Sequence, residues 1–309
     1  MPDVTLLGPQ RFLPTLGRAV RAAGVEGMLA SVTAGWQERE AEDLELHEHL
    51  EERTVNLMLY ARSEEVFARD PDLFRAHRER QERLRALQEL YRLRLAHLKR
   101  AARELIGRSG DPALLEPERE AAIAALRELD AHHLARMRRI NDEFDAAWRP
   151  LERPAVARQV EQIASALAGV EALAVAGGHV AILLNRLRLF GLDRLLGTRR
   201  VFAWSAGAMA VCERVVLFHD SPPQGQGNAE VLEAGLGWAV GVVALPHARR
   251  RLRLDDRARV ALFARRFEPA LCLVLDDGGE LALGDAGYRA DAGVRRLTTD
   301  GGVEPLGAA

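Results

Sequence analysis

The run Ala203-Trp204-Ser205-Ala206-Gly207 sets a serine among small residues, between the apolar segment VFAW and a segment that reads as a helix. Small neighbours are what a tight strand-to-helix turn requires if it is to hold a hydroxyl clear of the backbone, as in a nucleophile elbow. A serine at a helix start also has backbone N–H groups beside it, aimed where an oxyanion would develop. The same residue type serves equally as a plain helix cap. A serine nucleophile needs a base, and His247 in ALPH stands at the C-terminal end of the next strand-like run, the edge where open α/β sheets keep their sites. The base in turn needs an acid. Asp276 and Asp277 close the run ALCLVLDD, and Asp220 follows the segment after Ser205, although each also fits a turn-capping role. Gly177-Gly178 ends ALAVAGG, where glycine lets backbone approach a ligand, and the pair with the Ala206 amide makes a candidate oxyanion hole. Arg249, Arg250 and Arg251 follow His247 and have the composition either of a solvated charge run or of a carboxylate-attracting patch.

These groups need a scaffold, and the chain divides into three zones. VTLLG, a helix through RFLPTLGRAVRAAGV and GMLASVTAG read as strand, helix, strand. From about Gln37 to Trp148 apolar residues recur every three or four positions with charges between them, and no strand is expected. Breaks at Asp70-Pro71 and Gly110-Asp111-Pro112 divide that zone into three long helices. Beyond Pro150 strands and helices alternate again, with strands in ALAVAGG, VFAW, VGVVALPH and ALCLVL, and DDGGELAL reads as a hairpin. The expected fold is therefore α/β, a doubly wound, mostly parallel sheet built by residues 1–36 and 150–309, with a large all-α helical insertion over 37–149. In the second long helix Leu84, Leu87, Tyr91, Leu95, Leu98 and Leu105 form one apolar stripe, and Ile123 through Phe144 form another in the third. With Leu57, Leu59, Val66, Phe67, Leu73 and Phe74 this is more apolar surface than three helices need among themselves, which predicts a homo-oligomer.

Composition removes several classes of function. The chain has 309 residues, 43 basic against 45 acidic, and a formal net charge of -2, so no global field gathers nucleic acid or an anionic membrane. Lys99 is the one lysine and falls in a stretch that reads as exposed helix, which disfavours Schiff-base chemistry. Cys212 and Cys272 both lie in apolar runs, as buried thiols do. His47, His49, His132 and His133 read as solvated helix positions, no His-Glu-x-x-His spacing occurs, and no metal or other cofactor is expected. The opening MPDVTLLGPQ lacks a basic start followed by a long apolar run, and no segment approaches eighteen uninterrupted apolar residues, so a cytoplasmic protein is expected.

Taken in order, VAVAGG, WSAGA, VVALPH and LVLDDGGEL resemble the serine peptidases typified by aspartyl dipeptidase and cyanophycinase, whose fold is similar to the class I glutamine amidotransferases and flavodoxin-like. The resemblance spans about Val156 to Leu283 plus the N-terminal strand and helix, and leaves out the helical zone. It implies Ser205 as nucleophile, His247 as base and Asp277 as acid, with Asp220 second because it matches an aspartate implicated in the dipeptidases. Gly177, Gly178 and the Ala206 amide would form the oxyanion hole. His179 would stand on the substrate side, where the family often has asparagine or another polar residue. Ala203 replaces a common glycine, and Asp277 is shorter by one methylene than the glutamate usual in the family. The implied substrate is a peptide or other small amide. An α/β-hydrolase has the same order of Ser205, Asp220 and His247 but requires strands and an HGGG-type loop before the elbow, which are missing here. The non-enzymatic alternative is an idle scaffold whose insertion mediates assembly.

Overall fold

The structure is a computed structural model and describes residues 2–219, 229–285, 287–291 and 293–307. Its central sheet has seven strands. Five are parallel: β1 (Val4–Leu7), β2 (Met28–Val32), β3 (Thr54–Asn56), β4 (Val170–Val175) and β5 (Arg200–Trp204). Two antiparallel strands, β10 (Glu280–Gly284) and β11 (Gly287–Ala290), complete it in the order β11-β10-β1-β5-β4-β2-β3. Between β5 and β10 the chain forms a ribbon of β6 (Arg214–Leu217) and β7 (Glu230–Ala234). A second sheet, β13-β12-β9-β8, contains β8 (Val242–Pro246), β9 (Leu271–Leu275), β12 (Arg295–Leu297) and β13 (Val303–Pro305). The central strands read as near-continuous apolar runs because both faces are covered, as is usual for parallel sheets; Leu6, Ala30, Leu173 and Val201 are all buried.

This mostly parallel α/β sheet with a large helical insertion is the expected class, and it departs from expectation in four places. The first of the three expected long helices does not form: Leu44–His49 and Leu59–Arg69 are short helices on either side of Thr54–Asn56, a strand that pairs with β2 from Leu29↔Thr54 to Ser31↔Asn56. The all-α zone therefore starts after this strand and not at residue 37; three residues are too few to show a period of two. The helix expected to run on from Ser205 is only Ala206–Val211, after which the chain enters β6. His247's strand β8 lies in the second sheet and not beside β5. DDGGELAL is no hairpin, because β9 pairs with β8 while β10 pairs with β1. The turn between them crosses the end of β1, where the Gly8 N–H donates to the Gly279 carbonyl at 2.8 Å. A Cβ at Gly8 would stand 1.9 Å from the Asp276 carbonyl oxygen, so only glycine fits that crossing.

Helices Pro71–Gly107 and Pro112–Trp148 begin where proline predicts, capped by Asp70 and Asp111. They form a hairpin whose stripes are used inside the molecule. Leu84, Leu87, Met137 and Ile140 pack helix on helix, while Tyr91, Leu95, Leu126 and Leu129 join Val231, Val243 and Phe263 of the α/β part. Leu57, Leu59, Val66, Phe67 and Leu73 belong to the core around the central sheet, which leaves Phe74 as the exposed member of that group. Most of the surface that suggested a subunit contact is thus used within the chain, and Phe74 stays exposed.

The hairpin also covers the β6-β7 ribbon, and a lone two-stranded ribbon is marginal in water. Tyr91 Oη accepts from the Val231 N–H at 3.0 Å, Gln88 donates to the Val231 carbonyl at 3.2 Å, and Arg92 grips Glu230 with two bonds of 2.7 Å. Two expectations of exposure fail for the same reason. Lys99 is buried, and burial together with the charges of Arg259, Arg266 and Arg103 pushes its ammonium down to about 7. His133 is buried and stacks on Tyr91 with ring centroids 4.1 Å apart. His47 and His49 are also engaged, through Thr54 Oγ1 at 2.7 Å and the Gly17 N–H at 3.1 Å. Among the described residues no helix is long and apolar enough to cross a membrane.

Candidate active site

Strands β4 and β5 are parallel neighbours in register from Ala172↔Arg200 to Val175↔Ala203, so their C-terminal ends lie side by side. One end delivers Gly177-Gly178 and the other Ser205. Ser205 has φ 51° and ψ −123°, a conformation that costs a non-glycine residue about 1–3 kcal/mol and persists only where the surroundings impose it. Two glycines impose it. A Cβ at Gly177 would stand 2.7 Å from the Ser205 Cβ, and one at Gly207 would stand 2.2 Å from the Val175 carbonyl oxygen. The helix after the serine thus lies directly on β4. Gly207→Ala is expected to push that helix off the strand, costing about 1–3 kcal/mol of stability through overpacking. A urea midpoint unchanged from the parent would contradict this reading of the contact.

Gly178 has φ +104°, and a Cβ there would stand 2.2 Å from the Gly35 carbonyl oxygen, which accepts from the His179 N–H at 2.7 Å. Gly35, just after β2, is therefore part of the site's frame. It was not singled out in the sequence, where its one signal was the glycine ending the run GMLASVTAG. Gly177 is buried while Gly178 and His179 are exposed. His179 Nδ1 caps the helix Val180–Leu189 by accepting from the Ile182 N–H at 3.3 Å. Ala206 is buried, and its nitrogen lies 3.5 Å from where a Gly177 Cβ would be, so this amide and the glycine face one another beside the serine.

His247 arrives from the second sheet. It follows β8 with φ 59°, its N–H donates to the Leu275 carbonyl at 3.1 Å, and its Nε2 lies 3.2 Å from Ser205 Oγ. That is hydrogen-bond reach for a nucleophile and base; with the imidazole proton on Nδ1, the serine hydroxyl donates. Burial is the main cause holding the imidazole below its ordinary value; Arg251 and Arg250 also lower it, while Asp277 and Asp276 raise it. The neutral, proton-accepting form is thereby favoured at neutral pH.

The acids are less simply arranged. Asp276 accepts from the Arg249 N–H at 3.1 Å and pairs with Arg249 at 3.4 Å and Arg295 at 3.3 Å. Asp277 is exposed, because the chain turns immediately after Leu275, with Gly278 at φ +85°. Asp277 acts on His247 through its charge, and among the described residues no carboxylate hydrogen-bonds to that imidazole. Asp220 lies outside the described residues. Of the three arginines, Arg249 holds Asp276 and Arg250 lies over the Phe12 ring at 5.4 Å, while Arg251 is half-buried. Cys212 and Cys272 are buried free thiols pushed up to about 12 by burial, far from the reactive thiolate range. Among the described residues no group of three His, Cys, Asp or Glu side chains is gathered to hold a metal.

No protein-family model matches the chain, and no curated protein matches it. Among solved structures it is similar to the crystal structure of a peptidase from an acI-B1 Actinobacterium, at 12% identity and a TM-score of 0.47, over 100% of this chain and 95% of that one.

Proposed function

We propose that the protein is a serine-type peptidase or related amide hydrolase, in which Ser205 attacks the scissile carbonyl and His247 accepts its proton. The observation that carries this reading is the 3.2 Å approach of Ser205 Oγ to His247 Nε2, made between two sheets by two residues that both hold positive φ. Neither conformation is needed to cap a helix. In the acyl-transfer step the serine oxygen bonds to the carbonyl carbon, and His247 returns the proton to the leaving amine. Water then releases the acyl group by the same route reversed. Gly177 and the Ala206 amide lie against the serine, with Gly178 next in the chain, and this backbone would receive the oxyanion. Asp277 supports the imidazolium by its charge, with Asp220 the second candidate. His179, exposed beside the glycine pair, would stand on the side of a peptide or other small amide substrate. The order of VAVAGG, WSAGA and VVALPH resembles aspartyl dipeptidase and cyanophycinase and supports the same assignment.

The second reading is a catalytically idle scaffold, and the observation on its side is that Asp276 is taken up by Arg249 and Arg295 while Asp277 is exposed. Fluorophosphonate reactivity separates the two, because it requires an activated serine. The proton acceptor must be neutral, and His247 is held below the ordinary imidazole value of about 6.5. The rate of probe labelling is therefore expected to stay level from pH 8 to below pH 7 and to fall only as the acid range protonates the imidazole. A rate already halved above pH 7 would contradict the assignment of His247 as base, and no labelling at any pH would favour the scaffold.

A further inference from the structure

A cavity of about 670 Å³ opens between the helical hairpin and the α/β part, and its lining includes neither Ser205, His247 nor the glycine pair. That size suits a small ligand. Its walls are of two kinds. Leu151, Leu236 and Val240 supply apolar surface, with Val240 44% exposed. Arg80, Arg194 and Asp145 supply charge of both signs.

Arg80 is the unusual member. Its guanidinium lies over the Phe144 ring at 4.3 Å, and its Nε is buried without a hydrogen-bond partner. Among the described residues its one hydrogen bond runs from Nη2 to Asn185 Oδ1 at 3.1 Å, a neutral acceptor. Burial pushes Arg80 down to about 10, with Glu233 and Asp145 acting on it only through their charge, so the site holds a cation that water solvates poorly and that no carboxylate among the described residues grips directly. Charges taken out of water are normally paired. Asp145 is an anion of the cleft and is itself exposed: partial burial is the main cause raising its carboxyl above the usual range and Asp142 raises it further, while Arg80, Arg188 and Arg194 lower it through their fields. Arg188, by contrast, is already used. It pairs with Glu233, which also accepts from Asn141 at 2.7 Å, so that this part of the wall is fixed before any ligand arrives.

We propose that this cleft is a binding site for a small zwitterion with an apolar body, the chemistry of an apolar amino acid or dipeptide. Its carboxylate would meet Arg80 and Arg194, its ammonium Asp145, and its side chains Leu151, Leu236 and Val240. The site stands independently of the serine chemistry. The segment carrying Leu236 and Val240 is nonetheless tied to the helix that begins at Ala206: the Leu236 N–H donates to the Ala210 carbonyl, and the Trp238 and Ala239 N–H groups to the Val211 carbonyl, at 2.8 to 2.9 Å.

The test is calorimetric titration of Leu-Leu into the full chain carrying Ser205→Ala, which lacks the proposed nucleophile. The comparison ligands are N-acetyl-Leu-Leu, which lacks the ammonium, and Leu-Leu amide, which lacks the carboxylate. One saturable site is expected, weakened about 10-fold or more by either ligand change and by Arg80→Gln, since each removes a charge-assisted contact. Arg194→Gln, at an exposed position where folding is not at stake, should weaken binding in the same direction. Binding of Leu-Leu that is unchanged in both arginine variants would place the peptide elsewhere, including at the serine, and overturn the proposal. No saturable binding at millimolar peptide would overturn it as well.

Discussion

Ser205→Ala is expected to lower kcat for amide or ester hydrolysis by about 10⁴ or more, the loss typical of removing a nucleophile whose base and oxyanion site remain. The fold should survive. Ala206 and Ala208 already fit this turn, and alanine meets the same backbone cost at φ 51° as serine does. The rigid parts of the elbow, Gly177, Gly178 and Gly207, are untouched. The variant should therefore unfold at nearly the same urea concentration as the parent while losing turnover. Near-normal kcat in the purified variant would remove Ser205 from the mechanism.

Asp130→Asn is expected to cost about 3–5 kcal/mol of stability, the usual consequence of removing one partner from a buried ion pair. Asp130 on the second hairpin helix receives Arg266 through two bonds of 2.7 Å, and the two side chains are 5% and 3% exposed. Tyr91 Oη donates to the same carboxylate at 2.8 Å and accepts from Arg266 and the Val231 N–H, while Arg266 Nη1 reaches the Ala229 carbonyl at 2.7 Å. One carboxylate thus joins both hairpin helices, β7 and the helix Arg257–Phe267. The amide has nearly the same shape but leaves the guanidinium charge uncompensated in a site that excludes water. Urea denaturation reads the effect directly, and a loss below about 1 kcal/mol would mean that the pair contributes little beyond its shape.

What the sequence made legible follows the range of each signal. The long helices were plain because Leu84 through Leu95 and Ile123 through Phe144 sustain a period over many turns, and Pro71 and Pro112 mark their starts. The ends of β4, β5 and β8 were plain because an apolar run closes on Gly, Ser or His. Strand β3 was hidden by its length of three residues. The assignment of β8 and β9 to a second sheet was hidden because strand partnership depends on contacts distant in sequence, such as Leu245↔Val274, that no local pattern encodes. Lys99 and His133 looked solvated because charged residues surround them in the sequence, but Lys99 shares the buried face of Tyr91 and Leu95, and His133 stacks on Tyr91 from the other hairpin helix. Ser205 and His247, which the structure sets 3.2 Å apart, stood out by type and position, whereas Gly35 did not, because its contact is with a loop more than a hundred residues away.

The most direct test of the central claim is intact-protein mass spectrometry of the full chain after exposure to a fluorophosphonate, followed by peptide mapping. One adduct on Ser205 is expected in the parent, none in Ser205→Ala, and a strongly slowed reaction in His247→Gln, since the serine then lacks its base at 3.2 Å. An unmodified parent protein, or an adduct that persists in Ser205→Ala, would contradict the account.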